Sequence, residues 1–525
     1  MAIAETLSRA QIGLDAPLVH VEVHLAAGLP SFSLVGLPAP VVRESRERVR
    51  AAIVNSGYDF PPGRITVNLA PVELAKEGGR YDLPIALGLL RASGQAQWSD
   101  DTPIECYGEL GLSGELKPVA GLLLAALHAQ RAGHRLVLPA ANLAEAERVA
   151  RHRAAGFHSL RGVCGFLATG QPEETEGAAP APPAVTAAGL DIGPYEKQSS
   201  SLDDVLGHWS AKRALCIAAA GGHSLLFVGP PGCGKSLLAS RFPALLPPLT
   251  EREALEVASI RCIASGSFEA SHWGHRPYRA PHHTASANAV LGGGPQLRPG
   301  EISLAHCGVL FMDEFPEFDR RVLESLREPL ESGRIALARV AGHLELPAEF
   351  QLLAAMNPCP CGHLGDAAET CRCSPRAIAR YRSRLSGPLW DRIDLRVEIT
   401  RQEPEQLLPP AAAQTVAAAG PPHEPPAACS EAALRQQVLV AREIQQRRAG
   451  CLNARLPVQQ LSAICELEPS ARRLLEQGQR SFALSGRGLH RVLRVARTIA
   501  DLAGQGTIGE QAVAEAFQLR RPLAG

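Results

Sequence analysis

Residues 229–236 combine glycine, lysine and serine at a spacing suited to holding a phosphate group. The segment has the sequence Gly-Pro-Pro-Gly-Cys-Gly-Lys-Ser, which matches the pattern G-x-x-x-x-G-K-[ST] in full. An apolar run, Leu225–Val228, precedes it and a helix-compatible stretch, 237–242, follows it, so a strand delivers the loop to a helix N-terminus. In this pattern Lys235 reaches the β- and γ-phosphates and Ser236 ligates Mg²⁺. The residues expected to bind the nucleotide are Gly229, Pro230, Pro231, Gly232, Cys233, Gly234, Lys235 and Ser236.

Two later segments are apolar runs that end in polar side chains. Residues 308–314 end in Asp313 and Glu314, and residues 350–356 are followed by Asn357. Such runs are typical of buried parallel strands, whose carboxyl ends form the ligand-binding edge of a sheet. We expect Asp313 to hold Mg²⁺, Glu314 to polarise the attacking water, and Asn357 to sense the γ-phosphate. Alone, each segment also fits a plain strand end or turn, but the phosphate loop upstream favours nucleotide hydrolysis.

Several other segments resemble a known protein family. They are Arg-Ala-Pro-His-His-Thr at 279–284, three glycines at 292–294, Pro-Gly-Glu-Ile-Ser-Leu-Ala-His at 299–306, and N-terminal stretches at 28–38, 68–71 and 76–84. Together with the order of phosphate loop, acidic strand and amide-ended strand, they resemble the magnesium-chelatase-like AAA+ ATPases of the ComM/YifB family across nearly the whole chain. The resemblance implies a multidomain α/β fold, ATP and Mg²⁺ as cofactors, and a hexameric motor that acts on DNA. It also implies branch migration or helicase activity during natural transformation.

Residues 386–395 resemble the arginine-finger segment of the magnesium chelatases and the MCM helicases. The resemblance implies that Arg392 is a catalytic residue that projects into the nucleotide of a neighbouring subunit. A guanidinium there offsets charge on the transferred phosphoryl group. The plainer alternative is that Arg392 pairs with Asp391 or Asp394.

Two further basic segments are interpreted through the same resemblance. Arg487, at the expected start of a helix, matches the sensor-2 arginine of related proteins and is expected to contact the γ-phosphate. Arg334 and Arg339 lie on an expected hairpin, where they would track a phosphate backbone from a ring pore without reading its sequence. A plain exposed hairpin with basic edges is the alternative. His282 and His283 are expected to serve packing.

Four cysteines form two C-x-C clips with nine residues between them: Cys359, Cys361, Cys371 and Cys373. Four thiolates can close a tetrahedral zinc site, and the intervening segment has little apolar content with which to fold alone. The clips therefore predict bound Zn²⁺, although C-x-C is less typical than C-x-x-C. The alternative is four reduced cysteines in a surface loop. Because the first clip follows Asn357 closely, loss of the metal is expected to disturb the sensor as well.

The chain is too long, at 525 residues, for a single core. Residues 171–199 are expected to be a linker, and residues 403–430 a second, Pro/Ala-rich connection. Between them, residues 200–402 form the expected AAA+ core, with the cysteine insertion at 359–373. Residues 431–525 show amphipathic helical patterns and form the expected lid domain.

Residues 1–170 alternate short apolar strands with helices, which indicates an α+β domain. The segments between 108 and 139 resemble the proteolytic domain of Lon, so an S5-like fold is implied. Lon-type proteases use a Ser–Lys dyad in which lysine serves as the base. Here the serine position is at or near Arg80, and the lysine position lies within 122–125, which is wholly apolar. The domain is therefore expected to be non-proteolytic and to serve assembly or partner contact.

Composition leaves the partners open. The chain has 53 basic and 53 acidic residues, so DNA binding has to come from local basic surface repeated around a ring. It has no run of about 18 apolar residues and no export-signal pattern, which with 13 cysteines is typical of the reducing cytosol. We expect a cytoplasmic protein whose partners are single-stranded or branched DNA and copies of itself.

Three rival functions stay open from the sequence alone. They are a metal-insertion motor like the magnesium chelatases, an ATP-dependent protease, and a regulatory ATPase without a DNA role. The absence of a metal-chelating substrate domain disfavours the first, and the missing Ser–Lys dyad disfavours the second. Stimulation of ATP hydrolysis by DNA, weakening as salt rises, distinguishes a DNA motor from all three.

Overall fold

The computed structural model describes residues 2–39, 42, 44–74, 76, 78–98, 102–169, 201–266, 268–294, 298–339, 342–366, 368–402, 430–482 and 484–520. The expected linker at 171–199 lies outside these residues, and so does the expected connection at 403–430 apart from residue 430. None of the described helices combines the length and the apolar composition that crossing a bilayer requires.

The chain divides into two compact units. The first unit consists of Met1–Ile192 and Ala258–Trp273, and the second of Gly193–Val257 and Gly274–Gly525. The C-terminal helices therefore belong to the same unit as the phosphate loop.

The first unit is built on a seven-stranded sheet. The strands up to residue 157 are β1 (Ala2–Arg9), β2 (Leu18–Ala26), β3 (Ser31–Val35), β4 (Arg64–Ala70), β5 (Ile104–Cys106), β6 (Glu109–Leu110), β7 (Leu116–Lys117), β8 (Arg135–Pro139) and β9 (Ala154–Phe157). Their order in the sheet is β3-β4-β2-β1-β5-β8-β9, and β6 and β7 pair separately. The pairs β4–β2 and β2–β1 are antiparallel and the others in the sheet are parallel. In β2, Val19, Val21 and Val23 are buried and alternate with less buried residues, as expected of a strand with one face in a core.

Buried ion pairs accompany this sheet. The helices up to residue 169 are α1 (Ser45–Asn55), α2 (Asp82–Ala92), α3 (Leu122–Ala132), α4 (Leu143–Ala150) and α5 (Leu160–Thr169). Asp82, at the start of the buried helix α2, accepts a hydrogen bond of 2.7 Å from Arg48 Nε. Arg9 and Glu105 form a second buried pair at 2.7 Å. In both of these pairs each charge thus has an opposite charge in contact, without which burial would be costly.

The second unit contains a five-stranded sheet in which all neighbouring strands are parallel. The strands from residue 225 onward are β10 (Leu225–Val228), β11 (Tyr278–Arg279), β12 (Gly292–Gly293), β13 (Arg298–Pro299), β14 (Val309–Met312), β15 (Arg334–Arg339), β16 (Gly342–Pro347), β17 (Gln351–Met356) and β18 (Leu395–Glu398). The order in the sheet is β11-β14-β17-β10-β18, while β12 pairs with β13 and β15 with β16. The carboxyl ends of β14, β17 and β10 therefore meet at one edge, where ligands bind in such sheets.

One apolar core joins this sheet to the C-terminal helices. The helices from residue 209 onward are α6 (Trp209–Gly221), α7 (Lys235–Arg241), α8 (Glu251–Ser265), α9 (Ala287–Leu291), α10 (Glu301–Leu304), α11 (Arg320–Ser325), α12 (Arg327–Ser332), α13 (Pro375–Arg382), α14 (Gly387–Arg392), α15 (Glu431–Ala449), α16 (Val458–Ile464), α17 (Pro469–Ser481), α18 (Gly486–Leu502) and α19 (Glu510–Gln518). Phe227 on β10, Val438 on α15 and Val492 on α18 are buried in the same cluster. Arg442 of α15 also donates to the carbonyl oxygen of Ala219 on α6 at 2.7 Å.

Candidate nucleotide-binding site

The phosphate loop joins β10 to α7 through left-handed glycines. Gly232 has a φ of 76° and Gly234 a φ of 86°, a conformation that residues with a Cβ disfavour. The first residue of α7 is Lys235, so the loop ends where the helix begins. A phosphate held by this loop would meet backbone N–H groups and the positive end of a helix together.

The side chain of Lys235 lies inside the loop. Its Nζ donates to the carbonyl oxygens of Gly229 and Pro230, each at 2.7 Å, and to Asn357 Oδ1 at 3.2 Å. The last contact brings together the loop and the end of β17. Burial lowers the pKa of the Lys235 ammonium, because the charged form loses its hydration. A bound polyphosphate would replace that hydration with negative charge.

A hydroxyl and a carboxylate meet at the end of β14. Ser236 Oγ donates to Asp313 Oδ2 at 2.5 Å, and Asp313 Oδ1 accepts the backbone N–H of Glu314 at 2.9 Å. Mg²⁺ prefers oxygen ligands and keeps several waters beside one or two protein groups. The donor set at this point, one hydroxyl and one carboxylate next to the phosphate loop, fits such an ion.

Glu314 is in contact with a histidine that sequence analysis did not connect to it. Glu314 adopts a φ of 50°, which is uncommon for a residue with a side chain. Its Oε2 lies 2.9 Å from Nδ1 of His283, and the His283 ring lies 4.3 Å from that of His282. Both histidines follow β11, which pairs directly with β14. The sequence feature that could have indicated this contact is the Pro-His-His segment, which follows the strand that pairs with the acidic strand.

These side chains line one cavity of about 520 Å³, the phosphate pocket. Its lining residues are Pro231, Gly232, Lys235, Ser236, Ala280, Pro281, His282, His283, Phe311, Asp313, Glu314, Met356 and Asn357. The structure thus brings together the predicted loop, acidic and amide residues, and it adds the two histidines that we expected to serve packing.

A second pocket of about 670 Å³ lies on the other side of the phosphate loop. Its lining residues are Asp204, Val205, Leu206, His208, Pro231, Gly232, Cys233, Gly234, Leu237, Arg401 and Gln402. It shares Pro231 and Gly232 with the phosphate pocket. A ligand bound at the loop with its phosphates in the first pocket has room for a further group in the second.

Arg392 does not line the phosphate pocket. Its Nη2 lies 2.7 Å from Glu331 Oε1, and its Nη1 donates to the carbonyl oxygen of Pro388 at 2.8 Å. Neither acid considered in the sequence is its partner among the described residues. Asp394 pairs with Arg491 at 2.6 Å instead, and Asp391 lies 3.6 Å from Arg520.

Arg487 lies on the same carboxylate as Arg392. Its Nη1 is 3.7 Å from Glu331 Oε1, and it is not among the residues that line the phosphate pocket. Hydrogen bonding to Arg392 lowers the pKa of Glu331, and the charges of Arg392, Arg487 and Arg491 add to this effect. The two arginines predicted to act on phosphate therefore share one acid, Glu331, which no sequence pattern had singled out.

The four cysteines of the C-x-C clips converge. Cys359 Sγ lies 3.4 Å from Cys361 Sγ and 3.7 Å from Cys371 Sγ, and the latter two are 3.6 Å apart. All four sulfurs, including that of Cys373, lie within 4.8 Å of one another. Thiolates around one tetrahedral zinc, with Zn–S of about 2.3 Å, are about 3.8 Å apart. The donor set and its spacing fit a single zinc ion.

The structure also describes the basic hairpin and the positions at which a Ser–Lys dyad would lie. β15 and β16 pair in an antiparallel register, and exposed Arg334 lies 3.4 Å from Glu345. The side chain of Arg339 lies outside the described residues. In the first unit, Arg80 is buried and donates to the carbonyl oxygen of Ala120 at 2.6 Å, and residues 122–125 are buried in α3.

Magnesium chelatase sequence models match three parts of the chain. "Magnesium chelatase, subunit ChlI" matches residues 201–407, "Subunit ChlI of Mg-chelatase" residues 21–142, and "Magnesium chelatase, subunit ChlI C-terminal" residues 428–520. The first of these matches contains the phosphate loop, the acidic strand and the cysteine clips.

Full-length relatives extend the same finding. The chain is 45% identical to the competence protein ComM of Haemophilus influenzae over 523 residues, 99% of this chain and 98% of ComM. It is 44% identical to protein YifB of Salmonella typhimurium over 524 residues, 99% and 97% of the two chains. A Mycobacterium bovis relative is 38% identical over 532 residues, 99% of each chain. Magnesium-chelatase-like AAA+ membership implies ATPase activity with ATP and Mg²⁺. On this evidence the chain belongs to the magnesium-chelatase-like AAA+ family that includes ComM and YifB.

Proposed function

We propose that this chain is an ATP-driven motor that acts on DNA as a hexameric ring, with helicase or branch-migration activity in recombination during natural transformation. The observation that carries the proposal is the division of the hydrolytic groups. One pocket contains the side chains for phosphate, magnesium and water, whereas Arg392 lies outside it. Arg392 is buried against Glu331 in the single chain, so as an arginine finger it would have to leave that pair for the nucleotide of a neighbouring copy, which requires a ring or filament.

The proposed chemistry follows from the contacts in the phosphate pocket. Lys235 would exchange its two carbonyl acceptors for phosphate oxygens, and Ser236 and Asp313 would ligate Mg²⁺. Glu314 would accept a proton from the attacking water, and Asn357 would orient the γ-phosphate through a neutral amide. Bound Mg²⁺ would neutralise charge on the phosphates. Every other task would fall to side chains that lie close together in the phosphate pocket.

Finer domain assignments belong to the same proposal. The first unit would be a Lon-protease-like, S5-like domain without the Ser–Lys dyad, used for assembly or partner contact. The helices from residue 431 would be the lid of the ATPase, and the four cysteines would hold Zn²⁺. The motor would work in the cytoplasm, where DNA and other copies of the chain are its partners.

The competence role rests on the name of one relative. ComM of Haemophilus influenzae is described as a competence protein, and its identity with this chain extends over 98% of its length. A motor that remodels DNA suits recombination during uptake of foreign strands. The identity supports this assignment.

A chelatase-type ATPase is the second candidate. It is favoured by the matching sequence models, all of which describe magnesium chelatase subunit ChlI. In that function ATP hydrolysis would respond to a porphyrin-handling protein partner, and DNA would have no effect. The two candidates therefore differ in what stimulates hydrolysis.

DNA-stimulated ATP hydrolysis tests the proposal. We expect single-stranded and branched DNA to raise the hydrolysis rate, and the DNA concentration for half-maximal stimulation to rise with salt in a linear log–log relation. Replacing Arg334 with alanine is expected to flatten that slope, because a protein that makes one phosphate contact fewer releases fewer counterions when it binds DNA. The measurement is steady-state phosphate release with a branched junction and a single strand across a salt series.

Arg447 provides the matched control. It is exposed, like Arg334, and it pairs with Glu443 as Arg334 pairs with Glu345. Arg447→Ala should leave both the stimulation and its salt slope unchanged. If no form of DNA changed the rate of ATP hydrolysis at low salt, that result would contradict the DNA motor and favour the chelatase-type function.

His283 is expected to position Glu314. Replacing it with alanine should lower kcat for ATP hydrolysis roughly ten- to hundredfold, because a misplaced general base is costly, and should leave KM for ATP within about twofold. His283→Asn keeps an N–H donor and should recover part of the loss. His282→Ala is the control, since His282 lines the same pocket but contacts Thr284 at 2.8 Å and, within the described part of the chain, no carboxylate. Equal losses in both alanine variants, or a rise in KM alone, would refute the positioning role.

A further inference from the structure

The segment that carries the four cysteines, residues 359–373, contacts the phosphate loop. Gly362 has a φ of 89°, and a Cβ added there would lie 2.7 Å from Pro231 Cδ and 3.9 Å from Asn357 Cγ. Only glycine lets the backbone approach this closely. The N–H of Gly362 donates to the carbonyl oxygen of Cys359 at 3.0 Å, so the approach is fixed by the first cysteine clip.

The same segment also reaches the second pocket. The buried carboxylate of Asp366 lies 3.3 Å from Arg401 Nε, and His363 Nδ1 lies 3.3 Å from the same oxygen of Asp366. Arg401 lines the second pocket, where it is joined by Gln402. One short segment thus touches Pro231, which lines both pockets, and Arg401, which lines only the second.

The strand before the segment provides a third contact. Asn357, two residues before Cys359, accepts a hydrogen bond from Lys235 at 3.2 Å. Pro358 lies between Asn357 and Cys359. Its carbonyl oxygen accepts a hydrogen bond of 3.5 Å from Nη2 of Arg382, the last residue of α13. A single residue, whose carbonyl oxygen Arg382 contacts, therefore separates Cys359 from Asn357.

Besides the ion pairs of Asp366 and the close packing of Gly362, the segment has its converging thiolates to order it. Its described residues form no helix or strand, and the spacing of the sulfurs, 3.4 to 3.7 Å among three of them, exceeds the S–S bond length of about 2.05 Å. Sulfurs this close surround one ion, whereas a multi-iron cluster needs wider spacing. A structural Zn²⁺ would supply the missing folding energy.

We propose that the four cysteines hold one structural Zn²⁺ that stabilises residues lining the phosphate pocket and the second pocket, so that zinc occupancy sets the affinity for nucleotide. This inference rests on the proposed ATPase function of the pocket. The coupling passes through three contacts: Asn357 with Lys235, Gly362 with Pro231, and Asp366 with Arg401.

The test measures metal content and nucleotide binding separately, without DNA and without turnover. Wild-type protein should contain one zinc per chain by mass spectrometry of the metal, and the double variant Cys371→Ser, Cys373→Ser should contain none. Affinity for a fluorescent, non-hydrolysable ATP analogue should fall about 5- to 150-fold in the double variant, the usual range of coupling between sites. Circular dichroism establishes that the variant is folded. Cys451→Ser, outside the cluster, should change neither quantity.

Two further measurements isolate the coupling from folding. Gly362→Ala should retain zinc yet bind the analogue more weakly, because its Cβ displaces Pro231. Wild-type protein stripped of zinc by a chelator should lose affinity and regain it when Zn²⁺ is added back. Purified protein in which all four clip cysteines react as free thiols and no zinc is found would overturn the metal site, and zinc-free folded protein with unchanged affinity would overturn the coupling. Failure of DNA to stimulate hydrolysis would count against the motor function alone, since no DNA is present in these assays.

Discussion

Replacing Arg392 with alanine is expected to lower the rate of ATP hydrolysis by about 10³- to 10⁵-fold while ATP still binds. The guanidinium is held by Glu331 and by the carbonyl oxygen of Pro388, and it does not line the phosphate pocket of its own chain. Its loss should therefore leave nucleotide binding within about twofold of wild type. Phosphate release measures the first quantity, and titration with a fluorescent ATP analogue measures the second.

Mixing two inactive variants tests whether Arg392 acts on a neighbour. Lys235→Ala disables the pocket of the chain that carries it, and Arg392→Ala disables the adjoining pocket. When the two are mixed before assembly, some interfaces combine an intact Lys235 with an intact Arg392, so hydrolysis should return in part. Mixtures that stay inactive at every ratio, or an Arg392→Ala variant with normal turnover, would contradict action in trans. Wild-type turnover by chains too dilute to associate would contradict it as well.

Local sequence patterns were sufficient to place four polar residues of the phosphate pocket, Lys235, Ser236, Asp313 and Asn357, close together. The phosphate loop fixes Lys235 and Ser236 by their spacing, and the ends of parallel strands fix Asp313 and Asn357, because such strands meet at one edge of a sheet. The contacts of 2.5 Å from Ser236 to Asp313 and 3.2 Å from Lys235 to Asn357 agree with that expectation of closeness. The chemical role of each residue stays a prediction.

Residues brought in by long-range packing were not predictable in the same way. His283 and Glu314 are far apart in sequence and meet only because β11 pairs with β14. Glu331 meets Arg392 and Arg487 from a different helix, and no spacing rule connects the three. The residues next to an arginine in the sequence do not indicate which distant acidic residue will pair with it. Such pairs depend on sheet order and helix packing, which a single sequence specifies only through the sum of many weak contacts.

The order of strands in the first unit had the same limitation. The alternation of short apolar strands with helices predicted an α+β domain for residues 1–170. It did not predict that β1 pairs with both β2 and β5, or that one pairing is antiparallel and the other parallel. Those choices depend on which edges are left unpaired once the helices cover the sheet.

Replacing Glu314 with glutamine should leave ATP bound but uncleaved, with hydrolysis slower by about 10²- to 10⁴-fold. The amide keeps the shape of the side chain and a partner for His283, but it does not accept a proton from water. Rapid quenching followed by chromatography of the released nucleotide should find ATP in the variant and ADP in wild type. Glu317→Gln is the control, because Glu317 is a nearby exposed carboxylate that pairs with Arg384. Turnover by Glu314→Gln close to wild type would place the base elsewhere.

Complementation separates Glu314 from Arg392 even though both losses stop hydrolysis. A chain with Glu314→Gln still offers an intact Arg392 to a neighbour, so mixing it with Arg392→Ala should restore part of the activity. Mixing it with Lys235→Ala should restore none, because Glu314 and Lys235 line the same pocket and every pocket in the mixture lacks one of them. The proposal of a nucleotide shared between copies requires both outcomes. Recovery in the second mixture would mean that Glu314 serves a pocket other than the one it lines.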